Sequence, residues 1–117
     1  MVDKFKTILD NLKKHGDVTL FAVLKMDNLT DKWSVLISAT WINEDNRKEI
    51  FNEIIELIKN TMSIEEAASV ARVIIAPKED PLVLGLLEYK TVDYIGGDEP
   101  IKINGNLVHE AHILESN

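Results

Sequence analysis

The chain has no cysteine, and this absence excludes several kinds of chemistry at once. A disulfide framework, a thiolate nucleophile and a cysteine-ligated zinc or iron–sulfur site all require that residue. A cysteine-free sequence is compatible with a reducing compartment, so we expect a cytoplasmic protein. Long hydrophobic runs are missing too, because no stretch approaches the roughly 18 apolar residues of a membrane span. We therefore expect no membrane association.

Basic residues are scarce in the second half of the chain. Residues 60–117 contain four lysines and arginines but ten aspartates and glutamates, whereas residues 1–59 contain nine and ten. The formal net charge of the whole chain is −7. Such a charge repels phosphate backbones, so we expect no nucleic-acid partner. The negative charge favours a basic protein partner. The alternative is that it only keeps the protein soluble.

The remaining composition is that of an ordinary globular protein. Hydrophobic residues make up 45% and charged residues 28% of 117 positions, which is enough to bury a core without covalent cross-links. No internal repeat, low-complexity segment or linker divides the sequence. We therefore predict a single domain over residues 1–117.

Apolar residues at helical spacing predict two main helices. The first covers about residues 3–14, and its stripe consists of Phe5, Ile8, Leu9 and Leu12. The second covers about residues 44–60, and the residues expected to be buried are Ile50, Phe51, Ile54, Leu57 and Ile58. Ser63 and Glu66 have the spacing of a capping box, which predicts a short helix at 64–69. Residues 81–88 favour another short helix after Asp80, with a strand as the competing interpretation because Gly85 weakens a helix.

Strand patterns lie between these helices. Residues 18–26 and 32–42 read as a hairpin joined by the turn-forming residues 27–31. Residues 71–76 predict a buried strand that ends at Pro77. Residues 94–100 read as a loop, and Asn104 followed by Gly105 is a strong hairpin signal that begins a last strand at about 106–114.

The predicted order of elements is α-β-β-α-α-β-(α)-β-β, which indicates the α+β class. We expect a mainly antiparallel sheet of four to five strands with two or three helices packed on one face.

Two histidines near the end of the chain raise the question of a metal site. His109 and His112 flank Glu110, but the helical zinc motif needs histidines at i and i+4. On a strand, His109 and His112 point to opposite faces, whereas Glu110 and His112 share one face. An acid of the preceding segment, such as Asp98 or Glu99, could join them. Glu110, His112 and Asp98 are therefore weak metal candidates, and a structural role for the histidines is the favoured interpretation.

Other catalytic patterns are absent from the sequence. Asp93, Asp98, Glu99 and Glu110 are acids whose spacing pairs no two of them for acid–base catalysis. No serine has the glycine-flanked context of a nucleophile elbow. The glycine pair at 96–97 is followed by acids, which disfavours phosphate binding. We expect neither catalysis nor a cofactor.

Trp33 and Trp41 lie eight residues apart in the second predicted strand, on one face. At ~3.3 Å per residue this spacing exceeds what one packed helix covers, so one of the two indoles should lie near an interface. Self-association through this strand would make the protein a homodimer.

The leading hypothesis is a non-catalytic protein-interaction or accessory module that acts as a homodimer or on a basic partner, in the manner of an antidote or inhibitor. The alternative is a small enzyme, or a ligand- or metal-binding protein, with a site near residues 93–112.

Overall fold

The computed structural model describes residues 2–26, 29–88 and 92–116, and it describes the side chains of 2–26, 31–88 and 101–116. The elements are α1 (Val2–Leu12), β1 (Leu20–Met26), β2 (Leu29–Ser38), α2 (Arg47–Thr61), α3 (Ile64–Ala68), β3 (Val70–Ile75), α4 (Pro81–Leu87), β4 (Val92–Ile103) and β5 (Asn106–Ser116). The predicted α+β class and order of elements are confirmed. None of the helices in the described ranges is long and apolar enough to cross a membrane.

The five strands form one sheet in the order β3-β2-β1-β5-β4. Three of the four neighbouring pairs are antiparallel, so the mainly antiparallel prediction is confirmed. The exception is β2 with β3, which are parallel because α2 and α3 form the crossover between them. This topology leaves β3 at one edge of the sheet and β4 at the other.

Both faces of the sheet are covered by helices. On one face, α1 and α2 pack against the inward side chains of β1 and β2, which include Phe21, Val23, Val35 and Ile37. The opposite face of β1 packs against α4 through Leu82, Val83 and Leu86. A strand that is apolar on both sides needs this arrangement, and β1 is accordingly the central strand.

Local signals explain α4 and the last hairpin. The Asp80 side chain accepts a hydrogen bond from Leu82 N at 2.9 Å, so a capped helix is formed rather than the competing strand. Asn104 and Gly105 adopt φ values of 45° and 91°, as expected for a tight hairpin turn. The Asn104 side chain also donates to Pro81 O at 2.7 Å, which joins the hairpin to α4.

The predicted extent of β2 is wrong. The strand ends at Ser38, which is paired with Leu20 at the start of β1, and a turn follows in which Ile42 N donates to Ala39 O at 3.2 Å. Trp41 therefore lies in this turn and shares no strand face with Trp33. The predicted hairpin turn is also too long, because β2 already begins at Leu29.

The predicted loop at residues 94–100 is wrong as well. These residues belong to β4, which pairs with β5 on both sides of an irregular region between Gly96 and Ile101. Pro100 lies in this irregular region of an edge strand, which is a place where a strand tolerates a residue without an amide donor.

Two burial predictions fail in one region of the molecule. Phe51 of α2 is 39% exposed instead of buried. β3 is an edge strand whose Ala71 and Arg72 are exposed, rather than a fully buried strand. Both differences arise at the edge of the sheet where β3 lies beside α2.

Candidate functional site

Glu110 and His112 lie on the sheet face that α1 and α2 cover. The register pairs His112 with Val23 and Glu110 with Lys25, and Val23 belongs to the core on that face. His112 Nε2 is 3.3 Å from Glu110 Oε2. The strand alternation therefore brings these two predicted candidates together.

Two residues from neighbouring strands complete this group. The His112 ring lies 5.5 Å from the Trp33 ring at an interplanar angle of 58°. Lys25 Nζ lies 4.7 Å from the Trp33 ring centroid, within the range of a cation–π contact. We refer to Lys25, Trp33, Glu110 and His112 as the Trp33 cluster. Glu110 contacts the His112 ring and Lys25 contacts the indole ring, so the cluster is a set of mutual structural contacts.

The metal hypothesis gains no third ligand from the described residues. Within them, no group of three or more histidine, cysteine, aspartate or glutamate side chains lies close enough to hold a metal ion. The side chains of Asp93, Asp98 and Glu99 lie outside the described residues. His109 sits at a register shift of β5, where Lys25 pairs with Glu110 but Met26 pairs with Val108. A role for Asp98 with Glu110 and His112 therefore stays a prediction.

Trp41 has a structural role at the other end of the helical layer. Its ring stacks on His15 with centroids 5.0 Å apart, and its Nε1 donates to Asp17 O at 3.0 Å. His15 Nε2 in turn contacts the Glu53 carboxylate of α2 at 2.9 Å. Trp41 thus joins the segment after α1 to the turn after β2. Both tryptophans are partly buried against the core, and each contacts a histidine.

A groove runs between α2 and the edge strand β3. We call it the β3 groove; its volume is about 440 Å³, and it is lined by Glu44, Arg47, Lys48, Phe51, Val73 and Ile75. The floor is apolar, because it consists of the exposed Phe51 ring and the side chains of Val73 and Ile75. Charged groups from the first part of α2 border this floor. An exposed aromatic ring beside apolar side chains is characteristic of interaction surfaces.

Some main-chain groups of β3 point away from β2, on the side of the strand where the sheet ends. Ile75 pairs with Ile37, and the next residue, Ala76, donates its N–H to Ile37 O at 3.1 Å. Main-chain groups alternate in direction along a strand, so Val73 and Ile75 direct their N–H and C=O groups away from β2. An edge of this kind is a template for one more strand.

One of these outward groups is already bonded within the chain. Arg47 Nη2 donates to Ile75 O at 2.6 Å. The guanidinium therefore closes the carboxyl end of the edge, and the groups left for a partner are the N–H and C=O of Val73 and the N–H of Ile75. The length of strand edge that can pair with another chain is therefore short, and a short open edge is a common way in which proteins limit unspecific strand pairing.

Sequence reasoning missed this groove, although two signals for it are present. Ile50 and Phe51 are adjacent, so the apolar stripe of α2 is wider than the face that one sheet can cover. Arg72 lies in the middle of an otherwise apolar strand, and a charge at that place is typical of an edge. Both signals can be interpreted only when β3 is known to be an edge strand of the sheet.

Comparison of the chain with protein-family models, with curated proteins and with solved structures found no match. An α+β architecture by itself assigns no activity, because one architecture carries many unrelated functions. The functional argument therefore rests on the geometry of the β3 groove and of the Trp33 cluster.

Proposed function

We propose that this chain is a non-catalytic protein-interaction module that binds an extended segment of a partner protein along the β3 groove. The observation that carries the proposal is the exposed Phe51 ring beside an edge strand with outward main-chain groups. In strand addition, main-chain hydrogen bonds supply affinity and alternate side chains supply specificity. The β3 groove offers both kinds of contact.

The chemistry of the groove favours a polypeptide over a small molecule. Val73 presents a donor and an acceptor from the same residue, which another extended main chain matches directly. Side chains at alternate positions of that segment would lie on Phe51 and Ile75. The N–H of Ile75 extends the pairing by one further hydrogen bond before Arg47 ends it.

The partner that we favour is a different, basic protein. Two copies of a chain with net charge −7 repel each other, whereas a basic partner is attracted at long range. The reducing cytoplasm, which the cysteine-free sequence favours, is the compartment in which we place this interaction.

The test compares four forms of the tagged protein in extracts of the native host, with bound proteins quantified by mass spectrometry. Phe51→Glu places a charge on the apolar floor. Val73→Pro removes an outward N–H and leaves the β2 ladder intact, because proline is tolerated at such edge positions. Ile64→Glu is the control, since Ile64 is 90% exposed and lies on α3, apart from the groove.

We expect a basic protein that the wild type and Ile64→Glu retain and that both groove variants lose. A protein retained equally by all four forms contradicts the use of this groove. Light scattering of the purified wild type identifies the other kind of occupant: a dimer that Phe51→Glu dissociates would show that the groove binds a second copy.

A further inference from the structure

The turn between β4 and β5 contains the one asparagine in the sequence that is followed by glycine. The register pairs Ile103 with Asn106, so Asn104 and Gly105 form a two-residue hairpin loop whose amides do not belong to the strand ladder. Both loop residues are exposed. A Cβ atom at Gly105 would meet nothing within 4 Å, so this residue faces open space.

An exposed asparagine followed by glycine holds the two reactants of deamidation. Gly105 N attacks Asn104 Cγ and closes a five-membered succinimide. The Cγ–Nδ2 bond breaks, and Nδ2 leaves as ammonia with the proton that Gly105 N gives up. Water then opens either imide carbonyl, which yields aspartate or isoaspartate. Glycine favours the attack because it has no Cβ to shield its nitrogen and its backbone turns freely.

The leaving nitrogen is also the atom that joins the hairpin to α4. Asn104 Nδ2 donates to Pro81 O at 2.7 Å, and neither product retains this donor. A carboxylate only accepts hydrogen bonds, so an aspartate at position 104 would direct an acceptor towards the Pro81 carbonyl. Asp80 lines the same cavity as Asn104, and the new negative charge would therefore lie near an existing one.

We infer that Asn104 is a site of spontaneous deamidation and that its conversion weakens the attachment of α4 to the β4–β5 hairpin. The reaction needs water alone as a co-reactant, and the inference is independent of the proposed function. Asn106 is the internal comparison. It lies in the same hairpin, but Leu107 follows it, and its Nδ2 contacts Ile103 O at 3.4 Å within the turn.

The first part of the test measures the two conversions in the folded wild type. The purified protein is incubated at mildly alkaline pH, where a main-chain nitrogen loses its proton more readily. Mass spectrometry of its peptides then locates each exchange of an amide for an acid. We expect Asn104 to convert well before Asn106. Equal rates at the two positions, or conversion of Asn104 only in the urea-unfolded chain, would overturn the assignment of this site.

The second part measures the consequence for α4. We expect Asn104→Asp, and the aged wild type, to unfold about 4 °C lower than fresh protein, as the loss of one hydrogen bond predicts for a domain of this size. Amide hydrogen exchange in α4 should become faster. Asn106→Asp is the matched control, because Asn106 lines the same cavity but has its contact within the turn. Equal effects of both variants, or none for Asn104→Asp, would contradict the loss of the Pro81 contact.

Discussion

The imidazole of His112 lies against the indole of Trp33, with ring centroids 5.5 Å apart. The two residues come from β5 and β2, with β1 between them, so this contact spans three strands. On one side the imidazole contacts Glu110, and on the other side Lys25 covers the indole. The contact therefore joins two residues that the sequence analysis considered separately, one as a metal candidate and one as an interface residue.

Replacing His112 by alanine should destabilise the protein and change the surroundings of Trp33. We expect a loss of about 1–2 kcal/mol in the free energy of unfolding, typical of a mostly buried side chain with an aromatic neighbour. In a Trp41→Phe background Trp33 is the single tryptophan, and its fluorescence should shift to the red. His15→Ala in the same background should leave this emission unchanged, because His15 contacts Trp41. An unshifted spectrum in the His112 variant would contradict the packing described.

Gly85 of α4 has no room for a side chain. A Cβ atom there would lie 2.3 Å from Ile103 Cγ2 and 3.1 Å from Asn104 Nδ2. Gly85→Ala should therefore lower stability by about 1–3 kcal/mol through overpacking, although alanine alone favours a helix by about 1 kcal/mol. Chemical unfolding measures the change in stability. Leu84→Ala is the control, because the neighbouring residue Leu84 is 48% exposed. A stabilised Gly85 variant would show that α4 is less tightly packed on the hairpin.

The Lys4 ammonium group and the backbone amide of Ser63 lower the pKa of Glu66 from 4.5 to about 2. A carboxylate with a depressed folded-state pKa stabilises the protein above its unfolded pKa and loses that contribution as pH falls through the folded value. Glu66→Gln should therefore lose less stability than the wild type between about pH 4.5 and pH 2. Thermal unfolding across this pH range tests the expectation. Glu65→Gln, which changes the exposed neighbouring glutamate, is the matched control. Parallel pH profiles for the wild type and Glu66→Gln would contradict the expected role of Glu66.

Arg47 should protect the free edge of the sheet. Removing its guanidinium by Arg47→Ala exposes Ile75 O and lengthens the interval open to another strand. We expect faster concentration-dependent association, followed by light scattering. Lys48→Ala removes a neighbouring cation that also lines the groove, and it should associate at the wild-type rate. If both variants behave alike, net charge rather than the Arg47 hydrogen bond controls association.

Signals that span a few residues predicted most of the elements correctly. The capping box of Ser63 and Glu66, the Asp80 cap and the Asn104–Gly105 turn are all present. Such signals act through hydrogen bonds and dihedral angles inside one short segment, so no distant part of the chain is needed to satisfy them. The shared face of Glu110 and His112 follows in the same way from strand alternation.

The errors arose where a partner strand decides the outcome. Residues 94–100 look like a loop until β5 pairs with them, and the extension of β2 towards Trp41 stops where β1 begins. Phe51 belongs to a regular apolar stripe, yet the sheet ends at β3 and leaves the ring uncovered.

The sequence by itself determined the order of helices and strands, the apolar character of both faces of β1 and the turns between several elements. Strand order, the two edges and the β3 groove were decided only by the tertiary structure. The physical reason is that pairing between distant strands depends on which surfaces the whole fold buries. A local sequence pattern does not specify which distant strand will lie beside it.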